Sequence, residues 1–334
     1  MGKFLEKCFI IADPKSDAWG YTQDIYNKLN SRVSGVFELN EIKLEKFRNL
    51  EIKPRIADNI RNSNCFVIFD SNQDPQYWLT QVAFVNHALK NSSAGEVINV
   101  FPNFFYSRQD RKDKSRVPIS AKVVADIINL YANRVLTIDI HNLQIQGFYD
   151  IPFDSLPSSK TVVEYLEKNY PEIIEDKNLT IASPDVGGGK RAEAFATRIN
   201  NPNVAIGHKV KSNSGDAEQI RFAEEQVNGR NILLVDDIID SGKTIVKACE
   251  ELRKKGANKI YAYGTHGFFT DGYDKILGNL EKMFIGDTIK QPYLKEFQIP
   301  DNLKDKLEKI SFSQILSDAI FNISTGESLT ALFD

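Results

Sequence analysis

The stretch Ile232–Ile245, ILLVDDIIDSGKTI, decides the fold. Its apolar, branched opening reads as a buried strand that ends in adjacent carboxylates, Asp236 and Asp237. A short turn follows. A helix then begins near Thr244, with Ile245, Ala248, Cys249 and Leu252 spaced to share one face. In doubly wound sheets ligands sit outside the carboxyl ends of the strands. A helix N-terminus offers backbone N–H groups and partial positive charge, which suits phosphate. Asp240, Ser241 and Thr244 can cap that helix or bond phosphate oxygens, Gly242 allows a close backbone approach, and Lys243 adds charge. The paired carboxylates can accept hydrogen bonds from vicinal hydroxyls. One loop therefore offers both grips for a phosphorylated sugar; the competing reading is a surface turn with an aspartate cap. Gly242-Lys243-Thr244 also resembles the end of a nucleotide P-loop, but that motif needs a glycine five positions earlier, where Asp237 stands.

Other apolar runs of the same kind flank this one. Phe9–Ala12, Cys65–Asp70, Glu96–Phe101, Arg134–Ile138, Leu179–Ala182, Val204–Ile206 and Lys259–Tyr263 read as strands. Ser120–Ala132, Ser159–Asn169 and Lys190–Asn200 read as helices between them. The alternation predicts an α/β protein of mainly parallel sheets flanked by helices. The pattern occurs once before about residue 150 and once after it. At 334 residues the chain suits two domains, with 151–157, IPFDSLP, as the link. The tail from Lys304 to about Ser324 reads as helical.

A net charge of -3 does not point to nucleic acid or an anionic membrane. No run is long enough to span a bilayer. Three scattered cysteines, without a paired motif, place the chain in a reducing cytoplasm rather than a disulfide-forming compartment.

Three further segments carry chemistry. Asp185-Val186-Gly187-Gly188 follows a strand and precedes a helix; consecutive glycines after an acid form a concave turn of N–H groups, suited to a diphosphate. Lys190 and Arg191, next in line, add charge or are solvated. In TIDIHNLQIQGFYDIPFD, His141 follows Asp139 at a strand end, with Asp150 and Asp154 close behind; such ligands near phosphates point to a divalent ion, with magnesium first. Lys209 and Lys211 precede a polar, glycine-containing stretch. They read either as part of an exposed loop or as a lid whose charge offsets that developing on phosphoryl oxygens.

These segments, in this order, resemble the ribose-phosphate diphosphokinases, also called phosphoribosyl pyrophosphate synthetases. The matching stretches are YSRQDRKDKSRVPISAK, DIHNLQIQGFYDIPFD, SPDVGGGKRAEAFATRI, LLVDDIIDSGKTI, THGFF and GESLTALF, and the likeness runs from about Phe47 to the end. The resemblance implies two similar phosphoribosyltransferase-type domains. Residues 1–155, joined by the C-terminal helix of 304–334, would carry the ATP loops; residues 156–303 would carry the sugar-phosphate and diphosphate loops and the lid. It implies ATP contacts at Phe47, Asn49, Glu51, Arg108, Gln109, Asp113 and His141. It implies magnesium held by His141 and Asp185, with Asp139, Asp150 and Asp154 as further acids. It assigns Asp185–Gly188 to diphosphate, Asp236, Asp237 and Asp240–Thr244 to ribose 5-phosphate, and Lys209, Lys211 and His141 to catalysis. Homodimers assembling into a hexamer are implied as well, with adenine held partly by a neighbouring subunit.

Three departures stand out. Lys211 replaces the usual arginine and loses the bidentate fork. Ser241-Gly242-Lys243 replaces the commoner threonine, small residue, glycine. Asn59 stands where a serine usually lines an allosteric phosphate site, although Arg61, Ser328 and Phe333 are kept. A nucleobase phosphoribosyltransferase shares the Asp236–Thr244 type of loop but lacks a segment like RQDRKDKSR. A regulatory homologue would be expected to have lost the lid lysine or the loops.

Overall fold

The computed structural model describes residues 7–211, 218–289 and 298–333, the side chains of Lys211 and Glu218 excepted. The chain divides into two units. One comprises the residues up to Pro157 together with those from Phe312 onward; the other is Ser158–Ser311.

The first unit opens with β1 (Cys8–Ala12), α1 (Ala18–Arg32), β2 (Phe37–Lys46), β3 (Ile52–Ile56) and β4 (Asn64–Ile68). It continues with α2 (Pro75–Asn91), β5 (Glu96–Phe101), α3 (Ser120–Asn129), β6 (Arg134–Ile138) and β7 (Phe153–Leu156). The sheet order is β3-β2-β1-β4-β5-β6-β7. Only the β2–β3 pair is antiparallel. Strands β1 and β4 are buried almost throughout, as apolar runs covered on both faces should be. Helix α2 starts sharply because Pro75 occupies its first turn and the Asp74 carboxylate accepts hydrogen bonds from the N–H groups of Gln76 and Tyr77 at 2.9 and 3.0 Å. The ribbon β2–β3 is absent from the strand pattern read above, because its sequence alternates apolar with charged residues and only its inner half is buried.

The second unit contains α4 (Ser159–Asn169), α5 (Pro171–Ile174), β8 (Leu179–Ser183), α6 (Gly189–Arg198) and β9 (Val204–Ile206). A two-stranded ribbon of β10 (His208–Lys211) and β11 (Glu218–Arg221) follows. Then come β12 (Asn231–Ile239), α7 (Lys243–Lys254), β13 (Ile260–Gly267), α8 (Asp274–Gly278), β14 (Lys282–Gly286) and β15 (Leu307–Ile310). Its main sheet runs β15-β14-β13-β12-β8-β9 and is parallel throughout. The apolar face of α7 packs into a core of Ile232, Leu234, Ile239, Ala262, Met283 and their neighbours. From β8 the chain moves outward to β9, then returns to the other side of β8 as β12 and continues away from it. The strand order therefore reverses between β8 and β12, which is where a doubly wound sheet opens a crevice for ligands.

The tail differs from the sequence expectation. Lys304–Ser324 is not one helix: residues 307–310 form β15, and helix α9 (Ser313–Thr325) starts only after it. Tertiary pairing overrides the local pattern here. Leu307–Ile310 adds to the edge of β14, and the Glu308 carboxylate accepts hydrogen bonds from the hydroxyls of Tyr165 at 2.6 Å and Tyr170 at 3.0 Å, with the Lys282 ammonium 3.7 Å away. The Tyr165 hydroxyl, aided by Tyr170 and Lys282, holds the Glu308 carboxyl below its usual value despite some burial. A carboxyl depressed in the folded state adds stability above its unfolded pKa, and that stability is lost as pH falls through the folded value. Glu308→Gln is therefore expected to lower the unfolding midpoint at neutral pH, with the gap to wild type closing in acid below the ordinary carboxylate range. Melting curves across pH check this; a gap independent of pH would refute it.

Helix α9 rejoins the first unit and lies against α1. The Arg32 guanidinium sits 3.6 Å from the centre of the Phe321 ring and 3.1 Å from the Asp318 carboxylate, and Ser313 donates to Asp24. Gly326, left-handed at φ +75°, ends the helix, and the Glu327 N–H returns to the Asn322 carbonyl at 2.8 Å.

Candidate active site

The crevice between the ends of β8 and β12 carries both loops read as phosphate sites. After β8, the chain turns at Asp185, whose carboxylate accepts the Gly188 N–H at 3.2 Å. Ser183 braces the turn from beneath, donating its hydroxyl to the Asp185 carbonyl at 2.7 Å. Gly188 has to be glycine, since a Cβ there would lie 2.4 Å from the Ser183 Oγ. Val186 and Gly187 are exposed at the rim.

Lys209, on β10, reaches this turn: its ammonium lies 2.8 Å from the Asp185 carboxylate. Burial works against ionisation of Asp185, but the Lys209 ammonium and the Gly188 N–H outweigh it, and the carboxyl titrates below its usual range. The segment bearing Lys209 is a strand of an antiparallel ribbon, so its backbone is fixed by pairing with Ile220. The Lys211 side chain and residues 212–217, the rest of the proposed lid, lie outside the described residues.

Strand β12 is longer than its apolar run: it continues through Asp236 and Asp237 to Ile239, so the acidic pair sits within the strand and not at its end. Asp237 is buried, and the Arg191 guanidinium of α6 lies 3.4 Å from its carboxylate. Arg191 could not be told from a solvated helix residue in the sequence; the contact depends on how α6 lies over β12. Desolvation, reinforced by the neighbouring Asp237 charge, pushes the Asp236 carboxyl well above its usual value. Such a pair holds a proton readily, so it presents both a donor and an acceptor to hydroxyl ligands.

The turn into α7 also differs from expectation. The capping position is Gly242, left-handed at φ +74°, and no side chain caps the helix. Asp240 instead accepts the Thr270 hydroxyl at 2.8 Å. Ser241 and Thr244 are half-buried in the turn, and Lys243 is exposed with its ammonium 3.0 Å from Asp271. The first turn of α7 is thus left to bind an anion through backbone N–H groups.

The remaining candidates lie in the first unit. Arg108 and Asp113 are exposed in the loop between β5 and α3. Gln109 anchors that loop to α3: it accepts the Ser120 hydroxyl at 2.6 Å, and its carbonyl accepts the Ala121 N–H at 3.2 Å. The loop is tied to the segment after β6, because Asn142 donates to the Asp110 carboxylate at 2.8 Å. Asp139 there is left-handed at φ +40° and His141, two residues on, is exposed. Phe47, Asn49 and Glu51 form the exposed tip of the β2–β3 hairpin, with Phe47 49% exposed.

The acids proposed around His141 do not gather. Asp154 lies within β7 and is ion-paired to Arg134, while Asp150 accepts from the Asn129 amide at 3.3 Å. Among the described residues no three His, Cys, Asp or Glu side chains come together to hold a metal. Position in sequence suggested a cluster, but the alternation of β7 and the placing of α3 turn these two carboxylates to other partners.

Known proteins resemble the chain over nearly its full length. The ribose-phosphate pyrophosphokinase of Haemophilus ducreyi is 35% identical over 329 residues, covering 96% of this chain and 99% of the relative. The chain belongs to the ribose-phosphate pyrophosphokinase family. The enzyme of that name from Bradyrhizobium diazoefficiens is 36% identical over 302 residues, covering 89% of this chain and 90% of the other. Residues 20–131 match the family profile for the N-terminal domain of ribose phosphate pyrophosphokinase, 154–266 the phosphoribosyl transferase domain and 223–334 the phosphoribosyl synthetase-associated domain. The crystal structure of phosphoribosylpyrophosphate synthetase from Mycobacterium smegmatis superposes with a TM-score of 0.78 at 26% identity, covering 95% of this chain and 99% of that one. Membership and fold thus agree with the resemblance read from the segments, and with α/β units of mainly parallel sheet.

Proposed function

We propose that this chain transfers the β,γ-diphosphoryl group of ATP to the anomeric hydroxyl of ribose 5-phosphate, giving phosphoribosyl diphosphate and AMP for nucleotide biosynthesis. One observation carries the assignment of residues: the β8–β12 crevice combines an uncapped helix N-terminus, an acidic pair and a diphosphate-type turn with Lys209 against it. Asp240–Thr244 grips the 5-phosphate. Asp236 and Asp237 hold the ribose hydroxyls, with Arg191 ion-paired to Asp237. Asp185–Gly188 receives the diphosphate. Arg108, Gln109 and Asp113 serve ATP, with His141, while Phe47, Asn49 and Glu51 hold adenine.

The anomeric oxygen attacks the β-phosphorus. A new O–P bond forms, the bond from the β-phosphorus to the bridging oxygen of the α-phosphate breaks, AMP leaves with that oxygen, and the hydroxyl proton passes to solvent. Lys209, Lys211 and Arg108 offset the charge on the phosphoryl oxygens, and the loops hold the acceptor in line. Magnesium fits the donors present, because it keeps several waters and takes one or two carboxylates beside substrate phosphates. Asp185, held below its usual range, would be one such ligand; Asp139 and His141 would serve in the other unit, where Asp150 and Asp154 already have protein partners. When bound, the ion neutralises the nucleotide phosphates.

The exposed hairpin bearing Phe47 supports a site completed by a second copy, within homodimers and a hexamer. Asn59, Arg61 and Arg55 line a cleft of about 530 Å³, the candidate place for an anionic effector. Three buried free cysteines fit a cytoplasmic enzyme, and among the described residues no helix is long and apolar enough to cross a membrane.

The test is AMP release from ATP and magnesium, with and without ribose 5-phosphate and inorganic phosphate. AMP formation that requires ribose 5-phosphate and no nucleobase is expected. A requirement for a nucleobase and phosphoribosyl diphosphate would instead make this a phosphoribosyltransferase, and no turnover in either assay would make it a regulatory homologue.

A further inference from the structure

We infer that Thr270, in the loop after β13, is a positioning residue for the ribose 5-phosphate site, acting by holding the Asp240 carboxylate away from the N-terminus of α7. The inference rests on the assignment of the Asp240–Thr244 turn to the 5-phosphate.

An aspartate just before a helix is a strong capping residue, and as a cap its carboxylate would take the N–H groups of the first turn. It would also set a negative charge against an incoming phosphate dianion. Asp240 stands two residues before Gly242, the capping position, yet α7 has no side-chain cap.

Thr270 accounts for this. Its hydroxyl donates to the Asp240 carboxylate at 2.8 Å, and its backbone N–H donates to the Asp240 carbonyl at 3.0 Å. The two bonds fix both the side chain and the main chain of one residue.

The loop that presents Thr270 is itself constrained. Strand β13 runs beside β12 as far as Ile239 and Gly267, and the Phe268 N–H continues the ladder to the Ile239 carbonyl at 2.8 Å. Phe269 then adopts a left-handed backbone at φ +50°, a conformation uncommon for a residue with a side chain. It is kept there by burial, at 3% exposure, and by its ring lying against Tyr273 with centroids 4.6 Å apart. Backbone strain persists where the surroundings over-determine it, often beside functional sites. Here it turns the chain so that Thr270 meets Asp240. The hydroxyl thus keeps the anion-binding N–H groups of α7 clear of the protein's own anion.

Thr270→Val keeps the shape and removes the donor; Thr270→Ser keeps the donor and removes the methyl. Steady-state kinetics of the full-length enzyme should show Thr270→Val raising KM for ribose 5-phosphate about tenfold, the size of one lost hydrogen bond to a charged group. Its kcat should stay within about twofold, since Thr270 does not touch the transferred group. Thr270→Ser should restore the wild-type KM. Backbone hydrogen exchange of 240–246, with ribose 5-phosphate added alone, should show protection in wild type and Thr270→Ser and weaker protection in Thr270→Val. An unchanged KM in Thr270→Val, a fall in kcat at constant KM, or failure of serine to rescue would each overturn the positioning role while leaving the phosphate assignment intact. Absence of protection in the wild type would overturn the assignment, and this inference with it.

Discussion

Gly242→Ala should all but abolish ribose 5-phosphate binding. At φ +74° a side chain is strained whatever its surroundings, costing about 1–2 kcal/mol. Here the surroundings are closed as well: a Cβ would lie 2.1 Å from Cδ1 and 2.3 Å from Cγ1 of Ile276. Ile276 is 1% exposed and packed in the same core as Phe269, Tyr273 and Ile245. It has no room to yield, and overpacking of this kind costs a further ~1–3 kcal/mol. The turn itself must open, which moves the first N–H groups of α7 away from the phosphate. We expect kcat/KM for ribose 5-phosphate to fall by a factor of at least about one hundred, equivalent to some 2.7 kcal/mol, mostly through KM. Isothermal titration with ribose 5-phosphate measures the effect directly. Gly278→Ala, at the end of α8 where an added Cβ meets nothing within 4 Å, serves as the control and should behave as wild type. If the Gly242 variant binds ribose 5-phosphate normally, the turn is not the phosphate site.

Lys209→Ala should act on the other kinetic parameter. The ammonium is held against the Asp185–Gly188 turn, and a group that offsets charge on the transferred phosphoryl contributes more in the transition state than in the ground state. Turnover is expected to drop by about a hundredfold to a thousandfold, as for loss of a single electrostatic stabiliser, while KM for ribose 5-phosphate changes little. A second signature comes from Asp185. Burial raises its pKa, and Lys209 is the main reason the carboxyl nevertheless titrates below its usual range. Without the lysine, burial prevails, so the acid limb of the residual rate should move to higher pH. A variant with near-normal kcat and an unmoved acid limb would exclude Lys209 from the chemistry.

The segments named in the sequence were those whose function is local. ILLVDDIIDSGKTI and SPDVGGGKR each carry a strand end, a turn and a helix start within a few residues, so composition alone exposes them. What stayed hidden depends on register and packing. Arg191 read either as added charge or as a solvated helix residue until α6 set it against Asp237. Thr270 lies 30 residues from Asp240 and meets it only because β13 runs in register with β12. Asp240 itself had every local mark of a helix cap, and a distant hydroxyl took that role away. In the tail, Glu308 and its neighbours read as helix but found a sheet edge and two tyrosines. Asp150 and Asp154, near His141 in sequence, meet separate partners in the fold: Asn129 for Asp150, which precedes β7, and Arg134 for Asp154 within it.

The return of α9 to α1 has a consequence for how the protein is made. A ribosome releases the first unit's sheet early, but helix α9, which meets α1 at Asp24 and Arg32, comes from the last stretch of the chain. Domains made first usually finish folding first. This one cannot: α1 lacks its contacts with α9 until the whole of Ser158–Ser311 has been synthesised. A chain cut short after Ser311 would keep all of the second unit and leave the first unfinished, so premature termination near the end should yield an aggregation-prone product rather than a slower enzyme.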